Sequence, residues 1–109
     1  FVVSDLPGLY LGMAQGNTVW LDRNAAGRGW FLDSTPRDDE EFRSTAAGGP
    51  LRAVAPQAVD QVDLLTVIEH ELGHIAGLND SAAGGLMGPS LNLGLRLAPS
   101  AHDLALATI

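Results

Sequence analysis

The chain contains no cysteine, which removes disulfides and thiolate ligands together and leaves His, Asp and Glu as its strong metal ligands. It also lacks any apolar run of about 18 residues, so no segment reads as a membrane-spanning helix. No internal repeat or low-complexity tract occurs, which excludes a solenoid. Positive charge is scarce: 6 Lys and Arg against 13 Asp and Glu give a net charge of -7. Binding to nucleic acid or to an anionic membrane surface requires clustered cations, and both are therefore disfavoured. A chain of 109 residues has room for one small core. Phe1 opens directly in strand-like sequence, without a basic start or a methionine, as expected of a single domain (residues 1–109) excised from a longer chain.

What is present is concentrated between His70 and Asp80, where the sequence reads HELGHIAGLND. Residues four apart on a helix lie above one another, about 40° apart in projection, so His70 and His74 can chelate one ion. Glu71 flanks that ion without having to bind it, a position from which a carboxylate can accept a proton from an activated water. Gly77 suits a helix that ends in a left-handed residue, after which the chain can turn and carry Asp80 back. Two imidazole nitrogens and one carboxylate oxygen leave a tetrahedral zinc with an open fourth position, the arrangement of catalytic sites. Leu64, Leu65, Ile68, Leu72 and Ile75 form an apolar arc beside the histidines, which predicts a mostly buried helix from about Asp63 to Ala76. Asp60 or Asp63 can cap it, with Asp63 preferred.

This extended pattern, HExxHxxGxx followed by a ligand, resembles the metzincin metallopeptidases, whose third ligand is usually His. Asp80 stands in that place here, as Asp does in the small snapalysin-like bacterial members, with Asn79 as its neighbour. The resemblance implies a methionine turn, and Met87 in GGLMGPS falls where matrixin-like members carry it, beneath the metal without binding it. The stretches DLPGLYLGMAQGNTVWLD, AAGRGWFLDSTPRDDEEF, VDLLTVIEHELGHIAGL and LMGPSLNLGLRLAP are similar to a matrixin-related domain embedded in very large secreted bacterial proteins. What this implies is a zinc endopeptidase with Glu71 as general base, a polypeptide substrate, an extracellular or cell-surface location, and other domains in a longer parent chain. It also implies a missing first strand and backing helix, and an edge strand in LYLGMAQ along the substrate cleft. The alternatives are a zinc-binding adhesion or interaction domain without catalysis, and a metal-free interaction domain.

Along the chain, Phe1 to Leu6 and Leu9 to Ala14 read as a short strand pair around Pro7 and Gly8, with further strands at Thr18 to Leu21 and Trp30 to Leu32. Pro36 to Glu41 reads as an acidic turn, and Ala46 to Pro56 as a flexible connection. Leu91 to Leu97 is apolar but interrupted by Gly94, and Pro99 with Ser100 opens a helix from Ala101 to about Ala107. The expected fold class is α+β: a short mixed sheet, then the active-site helix, the Met-turn and a C-terminal helix. Asp38, Asp39, Glu40 and Glu41 read as a solvated acidic turn in preference to a calcium site, and Asp22 and Asp33 share that ambiguity. His102 beside Asp103 reads as a helix-end histidine rather than a ligand. Trp20 and Trp30 are candidates for the core or for a substrate cleft, with at least one expected in the core. Tyr10 is the only tyrosine, so no tyrosine follows Met87 to assist at the metal.

Overall fold

Alternation along Thr18–Asp22 decides which way the first sheet faces, because Val19 and Leu21 are buried on one side while Trp20 lies half-buried on the other. The computed structural model describes residues 1–34, 39–44, 50–81, 85–88 and 90–98. This central strand, β3, lies between β1 (Val2–Ser4) and β2 (Gly12–Gln15). It pairs in parallel with β1 and antiparallel with β2, with Met13 and Val2 both opposite Trp20. A two-residue turn led by Gly16, at φ +60°, joins β2 to β3. The expected pairing of the first two strands with each other is thus corrected. Pro7 and Gly8 carry the chain across the sheet, and β3 takes the place between them.

Two small sheets complete the strands. β4 (Trp30–Phe31) runs parallel to β7 (Val62–Asp63), while β5 (Phe42–Ser44), β6 (Leu51–Ala53) and β8 (Leu95–Arg96) form an antiparallel group in the order β5-β6-β8. β6 and the short helix α1 (Pro56–Val59) occupy part of the stretch expected to be a flexible connection. Pro56 supplies the fixed φ of a first helical turn, and Ala58 is buried against Phe31 and Phe42. The expected helix at 101–107, and with it His102 and Asp103, lies outside the described residues. The architecture is α+β.

The main helix, α2, spans Leu64–Ile75, close to its sequence-based bounds. Asp63 occupies the N-cap position but makes no side-chain cap. Its carboxylate accepts instead from Thr66 Oγ1 at 2.6 Å and from Arg96 Nε and Nη2 at 2.8 and 2.9 Å. The face α2 buries is also not the whole leucine arc. Val67 packs with Val19, Leu21, Ala25 and Val62, while Leu64, Ile68 and Ile75 border that core and Leu72 remains 45 % exposed. Trp30 joins this core and donates its ring N–H to the Asp22 carbonyl.

Candidate metal centre and its cleft

The C-terminus of α2 builds the site through a Schellman turn, in which Leu78 N–H donates to the Gly73 carbonyl and Gly77 N–H to that of His74. Gly77 takes φ +101°, the left-handed value that glycine adopts without steric cost. Reversal at this point brings two groups back to the helix. The Leu78 carbonyl accepts from His74 Nδ1 at 2.8 Å, and Asp80 Oδ1 comes to 3.0 Å from His74 Nε2 and 3.3 Å from His70 Nε2. The Leu86 carbonyl, from the Met87 segment, accepts from His70 Nδ1 at 2.7 Å.

These two carbonyls fix the imidazole tautomers. A carbonyl oxygen only accepts, so each Nδ1 carries a proton, and Nε2 is the nitrogen each ring turns inward, with a free lone pair there in the tautomer that can bind a metal. The two Nε2 atoms face one another at 3.1 Å, with the carboxylate oxygen beside both. With both Nε2 atoms unprotonated, three acceptors converge here, and a proton or a metal cation among them relieves their repulsion. Ligand atoms about 2.0 to 2.1 Å from a tetrahedral ion are about 3.3 Å apart, which the sides of this triangle approach. The residues present fit zinc. His70, His74 and Asp80 together are also a group able to hold a metal ion, and Asn79, exposed on the same turn, is not part of it.

Glu71 projects beside this triangle but outside it, and is 6 % exposed. A Cβ on Gly12 of β2 would meet its Cγ and Oε2 at 3.1 Å, so the carboxylate lies directly against the backbone of that strand. Burial pushes the Glu71 carboxyl above its ordinary range; Asp80 adds to the shift and the two imidazoles oppose it. Met87, 2 % exposed, lies under α2 at Gly73, where an added Cβ would stand only 2.6 Å from its sulfur. Ser81 N–H donates to the Met87 carbonyl at 2.7 Å, tying the turn that bears Asp80 to the segment that holds His70.

A cleft of about 770 Å³ opens over the three donors and Glu71. Its walls come from Leu9 to Ala14, from Val67 on α2, and from Leu86 and Leu91 beyond it. β2 is an edge strand among the described residues and forms one side. Neither tryptophan lines it.

Of the acidic residues read as a turn, Glu40 and Glu41 lie in one, while Asp39 has a further partner. Arg96, buried at 3 %, pairs with Asp33 at 2.9 Å, Asp39 at 3.1 Å and Asp63 at 2.8 Å, and stacks over Phe42 at 4.3 Å. Asp39 is therefore engaged rather than only solvated, and Asp38 lies outside the described residues. Burial opposes the Arg96 charge, yet hydrogen bonds to these carboxylates raise its pKa above the usual arginine value. Asp22 accepts backbone N–H bonds from Ala26 and Leu6 at 2.8 Å and from Asn24 at 3.3 Å, which hold its carboxyl below the usual range.

Sequence reasoning missed Gly12, Gly73 and Arg96. A glycine inside a helix costs about 1 kcal/mol relative to alanine, so Gly73 was itself a sign of close packing. Gly12 and Arg96 act through partners tens of residues away and left no local sign. No family model, curated protein or solved structure matches the chain.

Proposed function

We propose that the chain is a zinc-dependent endopeptidase of the metzincin type, matrixin-like in fold, which hydrolyses peptide bonds with Glu71 as general base. The observation that carries this reading is the triangle of inward-facing donors on His70, His74 and Asp80 with a buried carboxylate beside it that takes no part in it. A structural metal site closes all four positions with protein ligands, whereas three donors facing a cleft leave one position for substrate or water. Zinc, when bound there, supplies a Lewis acid that acidifies water and polarises a carbonyl.

The remaining chemistry falls to side chains and backbone of this chain. Glu71 is suited to taking a proton and returning it to a leaving nitrogen, because its buried carboxylate lines the same cleft as the three donors without being one of them. Leu78 and Leu86 keep the imidazoles oriented through their carbonyls. Edge strand β2 offers backbone groups along the cleft to an extended peptide, and Gly12 lets that backbone approach Glu71 without a side chain between them. Met87 supports the floor of α2 beneath the donors. The test is direct: one equivalent of zinc by metal analysis, cleavage of an unstructured protein, and loss of both when the metal is removed. Stoichiometric zinc without cleavage of any unfolded chain would overturn the peptidase and leave a non-catalytic binding domain of a secreted bacterial protein.

A further inference from the structure

Among the described residues lining the cleft, Arg28 is the one arginine or lysine. Arg23 pairs with Asp5 and Arg96 is enclosed by three aspartates, but the exposed Arg28 side chain makes no ion pair among the described residues. Its loop is held firmly. The Asp22 carboxylate collects the N–H groups of Asn24 and Ala26, Asn24 Oδ1 accepts from Gly27 N–H, the Asn24 carbonyl accepts from Gly29 N–H, and Ala25 is fully buried. Ala25 and Ala26 both take φ +56°, a left-handed conformation that residues with side chains disfavour. A pinned and strained loop that brings to the cleft an exposed arginine with no ion pair among the described residues is organised for a partner.

Charge indicates what that partner is. With a divalent ion in place, the ion and Arg28 outweigh Glu71 and Asp80 by one unit, so the loaded cleft is positive in a chain whose net charge is -7. A carboxylate is repelled by the surface at large and attracted here. Leu9, Tyr10 and Met13, exposed at the same cleft, supply apolar contact beside it. On the peptidase reading above, we infer that Arg28 is a specificity-determining residue that binds a substrate carboxylate and selects peptides carrying an acidic group next to apolar side chains. The planar guanidinium suits this because it grips a carboxylate through two parallel hydrogen bonds.

The carboxylate can belong to an acidic side chain or to a chain end, and matched peptides separate the two. Quenched fluorescent peptides with internal Glu or Gln, each with a free or amidated C-terminus, are cleaved by the zinc-loaded protein and by Arg28→Gln, Arg28→Lys and Arg28→Glu. Melting curves and zinc content check that each variant is folded. The expected kcat/KM preference for the carboxylate-bearing peptide is about tenfold. It shrinks in Arg28→Gln, persists in part in Arg28→Lys and reverses in Arg28→Glu. Preference that follows the internal residue assigns a side chain, and preference that disappears on amidation assigns the chain end. Arg52→Gln, an exposed arginine away from the cleft, keeps the preference; an equal fall there overturns the proposal in favour of bulk charge. A fall in kcat of the same size for every peptide in Arg28→Gln overturns it too, since Arg28 would then serve the reaction rather than selection. Binding of the same peptides to zinc-loaded Glu71→Ala protein, by fluorescence anisotropy, gives the ranking without turnover. Failure to cleave any peptide therefore counts against the peptidase, while carboxylate-independent binding counts against Arg28.

Discussion

At Glu71, replacement by alanine removes a carboxylate that touches Gly12 but none of the three donor atoms. Zinc content is expected to stay at one equivalent while hydrolysis falls by about 100-fold or more, the size of a lost general base. Metal analysis beside a cleavage assay checks this, and retained cleavage removes Glu71 from the mechanism. Asp80→Ala is expected to weaken zinc binding by more than about 100-fold, beyond the usual effect of losing a supporting partner, and Asn79→Ala to leave it unchanged. Competition with a chelator of known affinity measures both. Asp22 gives the pH dependence. Because its carboxyl is held below the unfolded value of about 3.9, its stabilisation is complete above that pH and is lost as pH falls through the lower, folded value. Asp22→Asn is expected to flatten the melting temperature of the metal-free protein below about pH 4 and to lower it at neutral pH, where the loop amides lose their anionic acceptor.

The helix and its turn were the most legible elements. Period, cap position and Gly77 placed α2 within a residue of its bounds, because all these signals are local to the segment. The sheets were less legible for the opposite reason. Which strand neighbours which depends on pairing across the chain, and nothing within FVVSDLPGLYLG says that Thr18–Asp22 will lie between its two halves. Two- and three-residue strands such as β4, β5 and β6 are too short to carry a period. Packing beneath α2 makes its own prediction. Gly73→Ala raises helix propensity by about 1 kcal/mol, yet it pushes a methyl onto the Met87 sulfur in a buried position. Overpacking of this kind costs about 1 to 3 kcal/mol, so the variant is expected to melt lower. It is also expected to bind zinc less tightly, since the Met87 segment holds His70 through Leu86.

Across the whole molecule, Arg96 joins parts of the chain that lie far apart in sequence: Asp33 after β4, Asp39 before β5, and Asp63 at the start of α2. Read from sequence, Asp39 suggests a solvated turn, Asp33 a turn or a cation site, and Asp63 a helix cap, and no local pattern marks Arg96 as their common partner. Arg96→Met leaves three carboxylates without their counter-charge. Removing one member of a buried ion pair costs about 3 to 5 kcal/mol, a large share of the about 5 to 15 kcal/mol that holds a domain together. Chemical denaturation is expected to show a lower midpoint, with Arg96→Lys intermediate because an ammonium cannot fork between Asp63 oxygens as Nε and Nη2 do. The Schellman turn has a kinetic consequence. Its three candidate donors are separated by four and six residues, so the loops an ion would close are short and their closure entropy is small. Zinc can therefore be captured while the rest of the chain is still unpaired, whereas Glu71 meets Gly12 only after a contact spanning nearly sixty residues has formed. On the proposed peptidase reading, metal uptake precedes competence on the folding path, so that a nascent chain would hold its ion before it could cut anything, itself included.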